Sequence, residues 1–76
     1  MTGFPQVMPK QLVAILEHCG FIIVRQSGSH ARFSHADGRK ITIAIHNKSV
    51  PIGTLFSILR QAQISKEEFK GLLKKI

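Results

Sequence analysis

Three short β-prone runs follow one another inside residues 21–45, and they restrict the fold more than any other feature of the chain. FIIVRQ (21–26) is rich in β-branched and aromatic residues and is too short for a helix. HARFSH (30–35) alternates, and KITIAI (40–45) carries Ile at every second position. Ser27, Gly28 and Ser29 separate the first two runs, and the hairpin signal Asp37-Gly38 separates the last two. Connections this short join antiparallel neighbours, so the expectation is a three-stranded antiparallel sheet. Such a sheet must bury its apolar face against something else.

The flanking segments supply helices. After Pro9, which suits a first helical position, Leu12, Ile15, Leu16 and Cys19 recur at i, i+3, i+4, i+7. Gly20 follows, where a helix end favours a left-handed residue, so the spacing predicts a helix over 9–19. Residues 46–53 (HNKSVPIG) read as a loop, and Leu55, Ile58, Leu59 and Ala62 mark a second helix over 54–62. Ser65 with Glu68 three positions on is a capping box that opens a last helix, with Phe69, Leu72, Leu73 and Ile76 as its apolar stripe. Residues 1–8 hold Gly3 and Pro5 without periodicity and read as a flexible N-terminal arm. Residues 9–76 are then a single two-layer α+β domain of order α-β-β-β-α-α, with a short extra C-terminal helix.

A loop at 37–39 pairs Phe33 with Ile43, Ala31 with Ile45 and His35 with Ile41, which keeps the apolar side chains together. A turn centred on Ser27-Gly28 pairs Arg25 with His30 and Val24 with Ala31. The expected core face is Ile22, Val24, Ala31, Phe33, Ile43 and Ile45. The opposite face then carries Phe21, Ile23, Arg25, His30, Arg32, Ser34 and Thr42.

With 76 residues, the chain has room for one small domain and a modest core. Hydrophobic residues at 43% argue against disorder. No apolar run approaches the ~20 residues of a membrane span, and the N-terminus has no signal-peptide pattern. The lone Cys19 excludes an internal disulfide framework and a Cys-based zinc ribbon. A cytoplasmic location is the simplest reading. Eleven Lys and Arg against four Asp and Glu give a formal charge of +7, which points to nucleic acid or an acidic protein partner.

His30 is the leading chemical candidate. It follows a Gly-Ser turn and in this register stands between Arg25 and Arg32 on the open sheet face. Arginines there would hold a phosphate and offset its developing charge, while the imidazole takes a proton. RNA carries its own nucleophile in the 2′-hydroxyl, so a base and a charged cradle suffice without a metal. Gly28 would let the backbone approach a phosphate closely. His46 falls across from His30, where an auxiliary acid would be useful, although a loop histidine ending a strand is the plainer reading. Read as structure, His30 is a solvated strand residue. The four His show no metal spacing, the carboxylates are too few for a two-metal site, and no nucleotide-binding fingerprint is present. No cofactor, metal or small-molecule ligand is expected.

The ordered set G-F (20–21), R-Q-x-G-S-H (25–30), H-x-D-G-R (35–39), the terminal His46 and G-T-L-x-S-I-L-R-Q-A (53–62) resembles the HicA-type, or YcfA-like, toxins. The resemblance covers roughly residues 9–73. It implies a double-stranded-RNA-binding-like fold, a ribosome-independent mRNA endoribonuclease and a HicB-type antitoxin that masks the active site. It implies His30 as the catalytic residue, and it is compatible with phosphate or RNA contacts by Arg25, Gly28, Ser29, Arg32 and Lys48. Three positions depart from the usual pattern: Ala44 stands where Pro is frequent, Phe56 where a basic residue is frequent, and Gln63 where Gly is frequent. The N-terminal arm is also longer than usual. The alternative function for the same fold and charge is a non-catalytic RNA-binding module.

Overall fold

The structure, a computed structural model, describes residues 4–76. Its elements run α1 (Pro9–His18), β1 (Ile22–Ser27), β2 (His30–Ser34), β3 (Lys40–Ala44), α2 (Ile52–Ala62) and α3 (Lys66–Lys75). The strands form one antiparallel sheet in the order β1-β2-β3. The helices cover one face of it. Leu12, Ile15 and Leu16 of α1, Leu55, Ile58, Leu59 and Ala62 of α2, and Phe69 of α3 meet Ala31, Phe33, Ile41 and Ile43 of β2 and β3 in a single core. This is the expected α+β architecture, and it is compatible with a double-stranded-RNA-binding-like layout. No helix among the described residues is long and apolar enough to cross a membrane.

The helix ends follow from local chemistry. Gln11 Oε1 accepts a bond from the Met8 N–H at 2.7 Å, ordering the entry to α1 ahead of Pro9. At its other end Gly20, at φ +97, sends its N–H to the Glu17 carbonyl, and the Phe21 N–H reaches the Leu16 carbonyl at 3.0 Å. This 6→1 and 5→2 pairing is a Schellman motif, which drives the residue after the glycine into the core. Phe21 is therefore buried, not placed on the outer sheet face as its position beside β1 suggested. The end of α2 repeats the motif with Gln63 in the left-handed position (φ 59, ψ 40) and Ile64 buried behind it. Ser65 Oγ then accepts from Glu68 N–H at 3.0 Å and starts α3, as its spacing predicted.

Both hairpins are offset from their expected register. The β2–β3 loop has three residues, but they are 36–38. The His35 N–H bonds the Arg39 carbonyl at 2.9 Å, and Gly38 takes the positive φ at the loop end. Phe33 thus pairs with Ile41 and Ala31 with Ile43, two positions from the expected partners. A shift of two keeps every side chain on its face, so the β2 and β3 core residues stand. The β1–β2 turn is centred on Gly28-Ser29, with Ser27 opposite His30 and Arg25 opposite Arg32. A bulge at Val24 then inserts one residue, and the faces reverse upstream of it. Ile22 and Val24, expected in the core, are 64% and 53% exposed.

Arg39 clamps the hairpin tip to the helical layer. Its Nε donates to Asp37 Oδ2 at 2.9 Å, its guanidinium lies 5.1 Å from the centre of the Phe21 ring, and it donates to the otherwise orphaned Ala62 carbonyl at the end of α2. His35 is half-buried and packs edge-on against Phe21 at 5.1 Å. The H-x-D-G-R run is therefore a structural clasp on the side of the sheet away from the open face.

Residues 4–8, expected as part of a flexible arm, lie against the domain. Val7 is buried, and its carbonyl accepts from Val50 N–H at 2.7 Å. Phe4 meets Phe56 edge-on at 5.0 Å and stacks on Phe69 at 5.9 Å. Aromatic burial there outweighs the absence of periodicity. The remainder of the expected arm, residues 1–3, lies outside the described residues.

Candidate functional site

The face of the sheet turned away from the helices carries a basic centre. Side chains directly opposite each other in an antiparallel pair share a face, so the pairings define two adjacent rungs. One runs Ser27–His30–Ala44 and the next Arg25–Arg32–Thr42. Arg25, Ser27, His30, Arg32 and Thr42 line a shallow recess of about 250 Å³. The structure brings the expected trio Arg25, His30 and Arg32 together, although Arg25 faces Arg32 instead of His30.

The electrostatics of this recess oppose folding. Like charges placed directly across a strand pair are destabilising, by up to about 1 kcal/mol relative to neutral pairs. No Asp or Glu lines the recess, and the ion pairs among the described residues join Asp37 only to His35 and Arg39. Two guanidinium groups side by side without a carboxylate form a ready anion seat, with the His30 imidazole next to it and the Ser27 and Thr42 hydroxyls as further donors. Ser27 and Thr42 were not among the expected site residues. Thr42 was legible as an open-face residue, but only the register places Ser27 beside His30.

The other expected residues sit at the rim or beyond it. Gly28 (φ +60) and Ser29 form the tight turn before His30, and the Ser29 carbonyl accepts from Ile45 N–H at 2.6 Å. A side chain at Gly28 would meet no other part of the described protein within 4 Å, so within the fold itself the glycine serves the turn's positive φ. His46 is not opposite His30. Ala44 holds that place, and His46 lies in the following loop, lining a separate groove. Lys48 is exposed in the same loop and lines neither the recess nor that groove. One of the three sequence departures, Ala44, thus abuts the central histidine.

Cys19 is the chain's one thiol. Burial first, and then the Glu68 carboxylate, push the Cys19 thiol above its ordinary range, with Arg39 acting weakly the other way. The thiol is half-buried at the end of α1, on the helical side of the sheet.

The chain is thus a small α+β domain with a histidine and an arginine pair presented on the bare face of its sheet, a layout suited to a polyanion. The family model described as "HicA toxin of bacterial toxin-antitoxin" matches residues 9–64, from the start of α1 to the residue after the α2 cap. The chain belongs to the HicA toxin family, and its counterpart is accordingly an antitoxin. No curated protein matched the chain.

Proposed function

We propose that the protein is a cytoplasmic endoribonuclease that cuts mRNA independently of the ribosome, with His30 as its catalytic residue. The observation that carries this reading is the placement of His30 beside a cross-strand arginine couple that has no carboxylate partner among the described residues, on an exposed face of the sheet. His30 takes the proton of a ribose 2′-hydroxyl. The 2′-oxygen attacks the adjoining phosphorus, the bond to the 5′-oxygen breaks, and that oxygen takes up a proton. The product carries a 2′,3′-cyclic phosphate. Arg25 and Arg32 hold the phosphate and neutralise the charge that builds on its oxygens, with Ser27 and Thr42 donating hydrogen bonds. The nucleophile belongs to the substrate, so the scheme needs neither metal nor cofactor. A HicB-type antitoxin silences the protein by covering this open face.

The test is cleavage of a structureless RNA in EDTA by the wild type and by His30→Ala, at matched circular dichroism. Loss of a general base costs about 10²–10⁴ in rate, so the variant should bind RNA and barely cut it. DNA of the same sequence should remain intact. Wild-type protein that binds RNA without cutting it would establish the RNA-binding module instead. Unimpaired cutting by His30→Ala would remove His30 from the mechanism.

A further inference from the structure

Beside the recess runs a second and larger concavity, about 520 Å³, that the proposed chemistry does not use. One wall is the outer edge of β3 and the other is the exposed side of α2, with the loop around His46, Val50 and Pro51 closing one end. Thr42 lines both this groove and the His30 recess, so the two are continuous across a single residue.

The groove's walls have the chemistry of a base reader. The Ile45 N–H bonds Ser29 across the β2–β3 pair, which makes 31/43 and 33/41 the hydrogen-bonded pairs of that ladder. Thr42 and Ala44 therefore turn their N–H and C=O groups away from β2, along the open edge of the sheet and into the groove. A proline, frequent in the family where Ala44 stands, fits such an outward position but would delete one of these donors. From α2, Thr54, Ser57 and Gln61 add polar side chains at i, i+3 and i+7, one helical stripe, with Gln61 Nε2 3.5 Å from Ser57 Oγ. Ile58 and Pro51 supply apolar surface between them. Donors and acceptors on both rims, an apolar base and a volume inside the roughly 300–1,000 Å³ of small-molecule sites fit one unstacked nucleoside. The charge of +7 favours nucleic acid over a second copy of this chain as the occupant.

We propose that this groove seats the base of the nucleotide adjoining the cleaved bond, and that Thr54, Ser57 and Gln61, with the β3 edge, set the sequence preference of cleavage. The proposal rests on the ribonuclease reading for its placement of the phosphate over His30, and its test separates the two. Cleavage sites are mapped on a random-sequence RNA pool for the wild type, Gln61→Ala and Ser57→Trp. Equal thermal midpoints serve as the folding control. In parallel, RNA bound by His30→Ala and by His30→Ala/Ser57→Trp is sequenced for enrichment. One lost hydrogen bond should weaken discrimination at one nucleotide position about five- to tenfold in Gln61→Ala. The indole of Ser57→Trp, which fills the groove, should abolish that discrimination, and the bound pool should lose the same enrichment. Wild-type cleavage with an identical preference in both variants would overturn the groove assignment and leave the ribonuclease reading intact. If the wild type cuts nothing, the ribonuclease reading fails, and the bound pools still decide the groove. A Ser57→Trp protein that keeps its preference but escapes its antitoxin would assign the groove to the protein partner and overturn the proposal.

Discussion

Gln63→Gly should stabilise this protein, and the structure allows the gain to be estimated. The chain builds the same helix-ending motif twice, with Gly20 in the left-handed position after α1 and Gln63 in it after α2. Gln63 is the one non-glycine residue with positive φ among those described. A side chain in that conformation costs about 1–2 kcal/mol, because Cβ crowds the following carbonyl. Glycine removes the crowding but loses about 0.5–1 kcal/mol more chain entropy on folding. The Gln63 side chain is exposed, so little packing is lost with it. The net gain is about 0.5–1 kcal/mol. For a domain of this size that corresponds to about 2–8 °C in the thermal midpoint. Urea and thermal unfolding followed by circular dichroism would measure it, with Gln63→Ala as the control that keeps the strain and gains nothing. Gly20→Ala is the mirror experiment. It should lose more than Gln63→Gly gains, since a Cβ there would sit 2.9 Å from His35 Nε2 in addition to its φ of +97. A Gln63→Gly midpoint equal to or below wild type would refute the claim that backbone strain at this cap is relieved by glycine.

The Phe4→Ala and Phe56→Ala substitutions should be non-additive by about 0.5–1.5 kcal/mol in a double-mutant cycle, because the rings meet edge-on at 5.0 Å; strict additivity would mean that residues 4–8 do not dock in solution. Arg39 holds the Asp37 carboxyl below its ordinary range, through side-chain and then backbone hydrogen bonds. A depressed carboxylate lends stability above its unfolded value of 3.8 and loses it as pH falls through the folded value. Asp37→Asn should therefore be less stable than wild type at neutral pH, and the gap should close on acidification; a gap constant with pH would disprove the ion pair's contribution. Ile22→Thr and Val24→Thr should each change stability by less than about 0.5 kcal/mol, as surface substitutions do, and a loss above about 2 kcal/mol in urea unfolding would show that β1 is buried after all.

The element order was legible because periodicity and turn chemistry agree along most of the chain. The stripe Leu12, Ile15, Leu16 and the stripe Leu55, Ile58, Leu59, Ala62 are both buried as their spacing requires. Ser65 and Glu68 make the bond that their separation announced. Register was less legible, because a loop length does not say where a loop sits. Ala36-Asp37-Gly38 and Asp37-Gly38-Arg39 are both three-residue loops, and they differ in whether Gly38, with its positive φ, is the last or the middle loop residue. The edge strand was misread for a further reason. Alternation assigns faces only while the ladder is regular, and nothing in IIVRQ marks Val24 as the bulged residue.

The candidate site survived these register errors because the hairpin shifts were even-numbered. Arg25, His30 and Arg32 keep the open face in either register, since a displacement of two changes partners but not sides. His46 had no such protection. Its role depended on the partner itself, and the two-residue shift of the β2–β3 hairpin put Ala44 opposite His30. The sequence departures show the same dependence on partners. Phe56 stands where a basic residue is frequent on α2, and residues 1–8 read as a flexible arm. In the structure Phe4 lies on Phe56, and Lys66 sits 4.0 Å above the Phe56 ring, so a cation remains at that spot although α2 no longer supplies it. Phe4 and Phe56, with Phe69, form one packing unit. Ala44 shows the same dependence at the site: it stands opposite His30 and also lines the groove that Thr42 shares with the His30 recess.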